Sequence, residues 1–357
     1  MTTPSAVPAA VVVGVGACLP ARRVANEELS GRLGRSAAWM FQRSGIRFRH
    51  VVEPGTGVGD LAAAAGRRAL ERAGAGEVSA VVVATSSPDR PCPGTAPDVA
   101  SRLGLTGAAA LDVQAVCAGF VYGLGVGQGL IAAGTATGVL VIGADALSLS
   151  VAPDDPTGML FGDGAGAVVL RAGHRAEPGA LGPCVLGSDG GGRDLITVRG
   201  GGCEERSRTG SAPGVRGAGP ESDPYLRLEG REVFRRALEH MGSASLAALD
   251  AVGWKAADVD RIVAHQANAR ILAMLAERLG VAPERALSNI EQVGNTSAAS
   301  IPVLLDHAAG SGDLEPGHRV LLTAFGGGLA WGATTLVWPH LPAHPPTLEE
   351  TVCTTPW

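Results

Sequence analysis

Cys117 stands at the end of a strand-like run, Leu111-Asp112-Val113-Gln114-Ala115-Val116, and apolar residues follow it at Phe120, Val121 and Leu124. Offsets of three, four and seven residues mark one face of a helix, so Cys117 falls at or near the first turn of a buried helix. Unpaired N–H groups and the positive end of the helix dipole favour a thiolate there, bringing a free-cysteine pKa of about 8.5 toward or below neutrality. Small Ala118 and Gly119 leave room for a substrate to approach the sulfur, and the chemistry on offer is nucleophilic. Position alone leaves a packed structural cysteine open, because free Cys is among the most buried residue types. His265 closes a buried strand in Val263-Ala264-His265-Gln266-Ala267-Asn268, and Asn295 occupies a tight turn before the small-residue stretch Thr296–Ser300. Each is ordinary by itself: a lone His is usually just hydrogen-bonded, and Asn after Gly is usually a turn residue.

The elements that must position these residues are legible in the pattern. Short β-branched runs predict strands at Val11–Gly16, Ala80–Thr85, Gly138–Ala144, Ala167–Leu170, Arg261–Ala264, Arg319–Ala324 and Thr334–Trp338. Helical patterns lie between them at Gly59–Ala73, Ala96–Leu103, Arg231–Leu249 and Arg270–Leu279. Strands apolar on both faces and separated by helices indicate an α/β layered protein. The chain also resembles itself. Glu77–Val82 matches Asp258–Val263 and Val139–Val141 matches Val320–Leu322, both at an offset of 181 residues, while Ala100–Leu105 matches Ala276–Val281 at 176. Each half finishes on a Phe-Gly-rich turn, Phe161–Gly164 and Phe325–Gly328. A period this long is no solenoid and fits a duplicated domain, with halves at 1–175 and 176–340 and a tail at 341–357. In that frame Asn295 corresponds to Gln114 and His265 to Ala84, so both converge with Cys117 on the junction of the halves. Asp189–Pro224, rich in Gly, Ser and Arg, reads as a long excursion serving as a lid or left partly disordered. The proline-containing tail after Pro339 is expected outside the core.

Composition closes off other classes. The formal charge is −5, and Lys255 is the only lysine, so there is no basic footprint for nucleic acid and no Walker lysine. Gly14-Val15-Gly16 and the glycines from Gly123 to Gly129 lack the dinucleotide spacing and its ribose-binding acid. Six cysteines without CxxC pairing argue against a zinc site and against a disulfide framework. Cys18, Cys184 and Cys353 read as structural or incidental, Cys92 as a loop residue and Cys203 as part of the excursion. No signal peptide or membrane span is expected, which makes a reduced cytoplasmic enzyme the default.

From Val11 to Trp338 the sequence resembles β-ketoacyl-acyl-carrier-protein synthase III and its relatives. The resemblance is carried by Trp39 with Arg43–Arg47, Val116–Phe120, Phe161–Gly166, His265–Asn268, Gly294–Ser300 and Ala324–Gly328. It implies an α/β thiolase-like fold of two duplicated halves, with mixed five-stranded sheets layered with helices (αβαβα). It implies Cys117 as the acylated nucleophile, with the N–H groups of Cys117 and Gly327 as oxyanion hole. His265 and Asn295 are then the donors to a malonyl thioester carbonyl, stabilising the enolate left by loss of carbon dioxide. Trp39, Arg43 and Asn268 match positions that hold coenzyme A and pantetheine, and Arg235 and Arg270 match positions that dock an acidic acyl carrier protein. The implied reaction is a decarboxylative Claisen condensation priming a fatty-acid or specialised polyketide pathway. It uses acyl-CoA or acyl-carrier and malonyl-carrier substrates, with no metal and no further cofactor, in a homodimer. The alternative is an acyltransferase passing the Cys117 acyl group to a hydroxyl, amine or carrier thiol. Three departures bear on the donor: Pro156-Thr157-Gly158 replaces a coenzyme-A-binding arginine, Cys92 replaces a bulky aromatic that reaches the partner's acyl pocket, and the excursion is long.

Overall fold

The computed structural model describes residues 8–74, 76–209, 222–342, 348 and 351–353. The first half begins with β1 (Pro8–Pro20), the hairpin strands β2 (Arg22–Ala25) and β3 (Phe48–Val51), and between these α1 (Asn26–Leu33) and α2 (Ala37–Ser44). It continues through α3 (Val58–Ala73), β4 (Ala80–Ala84), α4 (Ala96–Arg102), β5 (Ala109–Val113), α5 (Gly119–Ala132), β6 (Gly138–Asp145) and β7 (Gly164–His174). The second half holds β8 (Val185–Ser188), β9 (Ile196–Thr197), α6 (Cys203–Thr209), β10 (Arg227–Leu228), α7 (Gly230–Asp250) and β11 (Arg261–Ala264). Then come α8 (Ala269–Leu279), α9 (Ile290–Val293), α10 (Ser300–Ser311), β12 (Arg319–Gly326), β13 (Ala330–Val337) and β14 (Val352–Cys353). Every predicted strand and helix is present, and β7 and β13 start earlier than the β-branched runs because small residues extend them.

The two sheets share one plan. In the first, the order is β14-β1-β7-β6-β4-β5; in the second it is β11-β12-β13-β8. β4 and β6 run parallel, and so do β11 and β12; β6/β7 and β12/β13 are both antiparallel. β6 is buried at all eight positions, as a strand covered on both faces must be. The sheets depart from the expected five strands each. β14 adds a sixth to the first. On the second, the place beside β11 that corresponds to β5 holds only the single parallel bridge Ile262–Ala286.

Helices fill the layers between and outside. α5 and α10 lie between the sheets: Phe120, Leu124, Ile301 and Leu304 share one core with Val141 of β6 and Leu322 of β12. α3 covers the outer face of the first sheet through Leu61, Ala62, Ala65 and Ala69, and α7 and α8 cover the second through Met241, Ala244, Leu272 and Leu275. α5 comes close to its sheet because its inner face is glycine. A Cβ on Gly123 would stand 2.9 Å from Val141 Cγ1, and one on Gly127 would stand 2.9 Å from Leu170 Cδ1. Gly123 and Gly127, which superficially suggest a dinucleotide loop, are therefore a packing face. Among the described residues, no helix is long and apolar enough to cross a membrane.

The tail and two cysteines differ from expectation. Val352 and Cys353 pair in parallel with Leu19 and Pro20, Leu348 and Val352 pack on Leu19, Val293 and Val303, and Cys18 is joined to Cys353 in a disulfide. A partner 335 residues away leaves no local spacing signal, so neither the bridge nor the return of the tail was readable. Tail positions 343–347, 349, 350 and 354–357 and residues 210–221 of the excursion lie outside the described residues.

The halves meet where Gly143 of β6 abuts the carbonyl of Ala298, and a Cβ there would also stand 2.8 Å from the Ala298 carbonyl carbon. Backbone on backbone cannot give way as a side chain can. Gly143→Ala is expected to destabilise the protein by about 1–3 kcal/mol, read as a lower denaturation midpoint at unchanged denaturant slope.

Candidate active site

The chain after β5 turns through a short 3₁₀ segment, Val116–Ala118, before α5 begins at Gly119. Cys117 thus sits on the approach to the helix, one turn ahead of its regular part. The same device recurs in the second half: a 3₁₀ segment Ser297–Ala299 leads into α10 at Ser300. Val116 (φ 47°) and Ser297 (φ 51°), 181 residues apart, are the two non-glycine residues with positive φ among those described. Ser297 Oγ donates to Cys117 Sγ at 3.4 Å, so the two turns meet face to face.

Asn295 is held by backbone on both sides and by its own side chain. Its N–H donates to the Leu160 carbonyl at 2.8 Å, and its carbonyl accepts from Gly162 N–H at 3.0 Å. The Phe161–Gly164 turn of the first half is therefore a cradle for the asparagine of the second. Asn295 Oδ1 accepts from Ser297 N–H at 2.9 Å, leaving the amide's donor end for the cavity. His265 follows β11; its N–H donates to the Thr323 carbonyl at 2.9 Å, and its Nδ1 lies 2.7 Å from Ser300 Oγ.

Cys117, His265 and Asn295 line one cavity of about 310 Å³ together with Phe161, Phe325 and Asn268. Ile196, Thr197 and Val198 of the excursion border it, with Leu226 and Leu228 just beyond the excursion's end, and β9 and β10 are paired. Of the two readings open for that segment, its described part is a wall. Gly326 at the end of β12 presses on the nucleophile, where a Cβ would stand 2.7 Å from Cys117 N, and a Cβ on the following Gly327 would stand 3.1 Å from the Ile196 carbonyl oxygen. Asn268 caps α8 by accepting from Arg270 N–H at 2.9 Å and donates to the Arg43 carbonyl at 3.2 Å, joining the cavity to α2. There the Arg43 and Arg35 guanidinium groups lie 5.6 Å and 5.2 Å from the Trp39 ring centroid, so Arg35 is a second cation at the outer position. Arg235 is exposed, and Glu232 (2.5 Å) and Glu239 (3.2 Å) of its own helix hold it. Among the described residues the Arg270 guanidinium bonds only the Gln42 carbonyl, at 3.4 Å, which makes it the freer charge.

The electrostatics correct one expectation. Burial pushes the Cys117 thiol up to about 12, and Asp145 adds to the rise against the lowering by Ser297. The helix-terminus effect is screened behind a 3₁₀ turn and is worth a few tenths to one kcal/mol, whereas full desolvation moves a thiol by units of pKa. Burial also pushes His265 down to about 4, with only the Ser297 carbonyl opposing it. At neutral pH the resting site therefore holds a thiol and an uncharged imidazole. The sequence pattern singles out Cys117, His265 and Asn295, which the structure brings to one cavity. The pattern gives no role to Ser297 or Ser300, although both lie in the Gly294–Ser300 run, and it misses Asp145, whose surroundings carry no motif.

A cysteine and a neutral His–Asn pair around one apolar cavity, at the junction of two similar α/β halves, define a thiolase-fold condensing enzyme. Models of 3-oxoacyl-[acyl-carrier-protein] synthase III and of its C-terminal part match residues 111–190 and 249–338. The chain is 54% identical to a Streptomyces coelicolor β-ketoacyl-[acyl-carrier-protein] synthase III over 93% of its own length and 98% of the relative's. Against the Pseudomonas aeruginosa β-ketoacyl-[acyl-carrier-protein] synthase III it is 47% identical, with the same coverage. The solved 3-oxoacyl-(acyl carrier protein) synthase III from Pseudomonas aeruginosa superposes with a TM-score of 0.87 at 46% identity, covering 94% of this chain and 99% of that one. A priming β-ketosynthase of a polyketide biosynthetic pathway gives 0.85 at 33% identity, covering 96% and 99%. The chain belongs to the 3-oxoacyl-[acyl-carrier-protein] synthase III family.

Two titrations test the resting charge state. Iodoacetamide capture of Cys117 in the free protein is expected to climb about tenfold per pH unit from roughly pH 7 to 10 without a plateau; a plateau near neutrality would reveal a stabilised thiolate. The His265 imidazole, followed by NMR, is expected to take up its proton near pH 4 and not near the usual histidine value.

Proposed function

We propose that this chain is a β-ketoacyl synthase III that joins an acyl group carried on Cys117 to a malonyl group carried on acyl carrier protein, with loss of carbon dioxide. The observation that carries the proposal is the convergence of the Cys117 thiol, a neutral His265 and the donor end of Asn295 on one cavity. In the first half-reaction Cys117 Sγ attacks the thioester carbonyl of acyl-CoA or an acyl-carrier. The N–H groups of Cys117 and Gly327 meet the developing oxyanion, and the thiol proton ends on the departing thiol. In the second, His265 and Asn295 donate to the malonyl thioester carbonyl. The bond to the carboxylate breaks, its electrons form the enolate, and the enolate carbon attacks the Cys117 acyl carbonyl, releasing the β-ketoacyl product and the thiolate, which takes up a proton. Neutral donors suit this step because they bind the enolate oxygen more strongly than the ground-state carbonyl.

Trp39, Arg43 and Asn268 are proposed to hold coenzyme A and its pantetheine arm, with Arg35 supplying the charge that Pro156-Thr157-Gly158 does not. Arg270, more than Arg235, is proposed to dock the carrier protein. The reaction needs no resident cofactor. A cytoplasmic homodimer belongs to the same reading. β5 ends its sheet and leaves Leu111 36% exposed, and Leu149, after β6, is 69% exposed, apolar surface that a second copy would cover. Priming of a fatty-acid or specialised polyketide pathway is the corresponding place in metabolism. Simple acyl transfer to a hydroxyl, amine or carrier thiol needs the nucleophile and its oxyanion hole but not the paired donors, so His265 and Asn295 favour condensation.

Intact-protein mass spectrometry with a panel of acyl-CoA and acyl-carrier donors is expected to show an acyl adduct that Cys117→Ala abolishes. His265→Ala and Asn295→Ala are each expected to form the adduct yet to lose malonyl-carrier decarboxylation on the order of 10²-fold. Adduct formation with no carbon–carbon product would move the protein to the transferases.

A further inference from the structure

We propose that Ser300 is a positioning residue that donates its hydroxyl proton to His265 Nδ1 and so holds the imidazole as the Nε2–H tautomer, the form that can donate to the malonyl thioester carbonyl. The inference deepens the condensation reading and rests on it for the second half-reaction.

A neutral imidazole carries one N–H, and which nitrogen bears it decides what the ring can do. With Nε2–H it is a donor to an enolate oxygen; with Nδ1–H its cavity nitrogen presents a lone pair that repels one. The His265 ring is 2% exposed and Ser300 is 1% exposed, so water does not settle the choice. Nδ1 and Ser300 Oγ are 2.7 Å apart, and either could donate. The hydroxyl's own surroundings decide. Among the described residues Ser300 Oγ has no hydrogen bond except the one to His265. If Nδ1–H donated to it, the serine proton would be buried without an acceptor, an arrangement native structures avoid. If Ser300 donates, both partners are satisfied.

One influence runs the other way. The Ser297 carbonyl, which accepts from Ser300 N–H on the same turn, is the ring's other hydrogen-bonding neighbour and can only accept. Deleting the hydroxyl would leave this carbonyl as the ring's hydrogen-bonding neighbour among the described residues and free the tautomer to turn over. No carboxylate hydrogen-bonds to the His265 side chain among the described residues, so the serine is not a substitute for the acid of a triad: it fixes a tautomer without raising the ring's basicity.

The decisive measurement is the pair of His265 ring ¹⁵N shifts in the free protein and in Ser300→Ala, with Cys117 acylation and malonyl-carrier decarboxylation followed separately. The expected result is protonated Nε2 and bare Nδ1 in the parent, a shift toward Nδ1–H in Ser300→Ala, and decarboxylation reduced on the order of 10²-fold. Acylation is expected to stay within about twofold. A parent ring protonated at Nδ1, shifts unchanged by the substitution, or a parallel loss of both half-reactions would each overturn the assignment. The shifts are read without turnover, so a parent protein that fails to condense would sink the condensation reading and leave the tautomer question answered.

Discussion

One buried carboxylate holds the junction together. Asp145, fully buried at the end of β6, accepts through Oδ1 from Thr85 Oγ1 (3.2 Å), Ser86 N–H (2.8 Å), Ser86 Oγ (2.9 Å) and Ser87 Oγ (2.8 Å), and through Oδ2 from Ala298 N–H (3.1 Å). A carboxylate out of water is tolerated only when its lone pairs are met in this way. Asp145 therefore fixes three segments at once: the end of β4, the end of β6, and the second half's turn that carries Asn295 and Ser297. The same charge acts on the nucleophile. It raises the Cys117 thiol further above the value that burial alone would give, so the anchor that assembles the site also opposes a resting thiolate. The resting site keeps its reactive groups uncharged; in the proposed reaction the oxyanion donors meet charge as it forms and not before.

That arrangement gives the cavity wall a clear task. With a thiol and a neutral imidazole at its base, charge appears only transiently, and electrostatic donors act most strongly where water is absent. Ile196, Val198, Leu226 and Leu228 supply the apolar side opposite α7, and all four come from the excursion or its edges. The segment that separates this chain's second half from a plain copy of the first is thus the one that encloses the reaction.

Much of this was legible because it rests on periodicity and local motif. Fully apolar runs such as Val81–Val83 and Val139–Ile142 can only be buried strands, and the offset of 181 residues located His265 and Asn295 relative to Cys117 before any coordinates. What escaped was set by contacts between distant segments. Asp145 looks like any acid at a strand end until Ala298 N–H arrives from the other half. Cys18 and Cys353 carry no spacing signal, and β14, the strand that brings Cys353 back to β1, is two residues long. The thiol's protonation was misjudged for a similar reason: the helix start is local and visible in sequence, whereas the burial that outweighs it is a property of the assembled junction.

The duplication also explains why the site exists once and not twice. Both halves retain the strained left-handed residue before the helix, Val116 and Ser297, a conformation that costs about 1–3 kcal/mol for a non-glycine residue and persists only where the surroundings enforce it. In the first half the strain aims the next residue, Cys117, into the cavity. In the second, the residue at the corresponding place is Ala298, and a Cβ on Gly119 would already stand 3.6 Å from its methyl group. Ala298 is 1% exposed, so a longer side chain there would need its neighbours to shift. The turn of the second half instead presents Ser297 Oγ to Cys117 and the Asn295 amide to the cavity. In the proposed condensation the two halves thus divide one reaction across the close approach that Asp145 holds, the first carrying the acyl group and the second the donors for its partner.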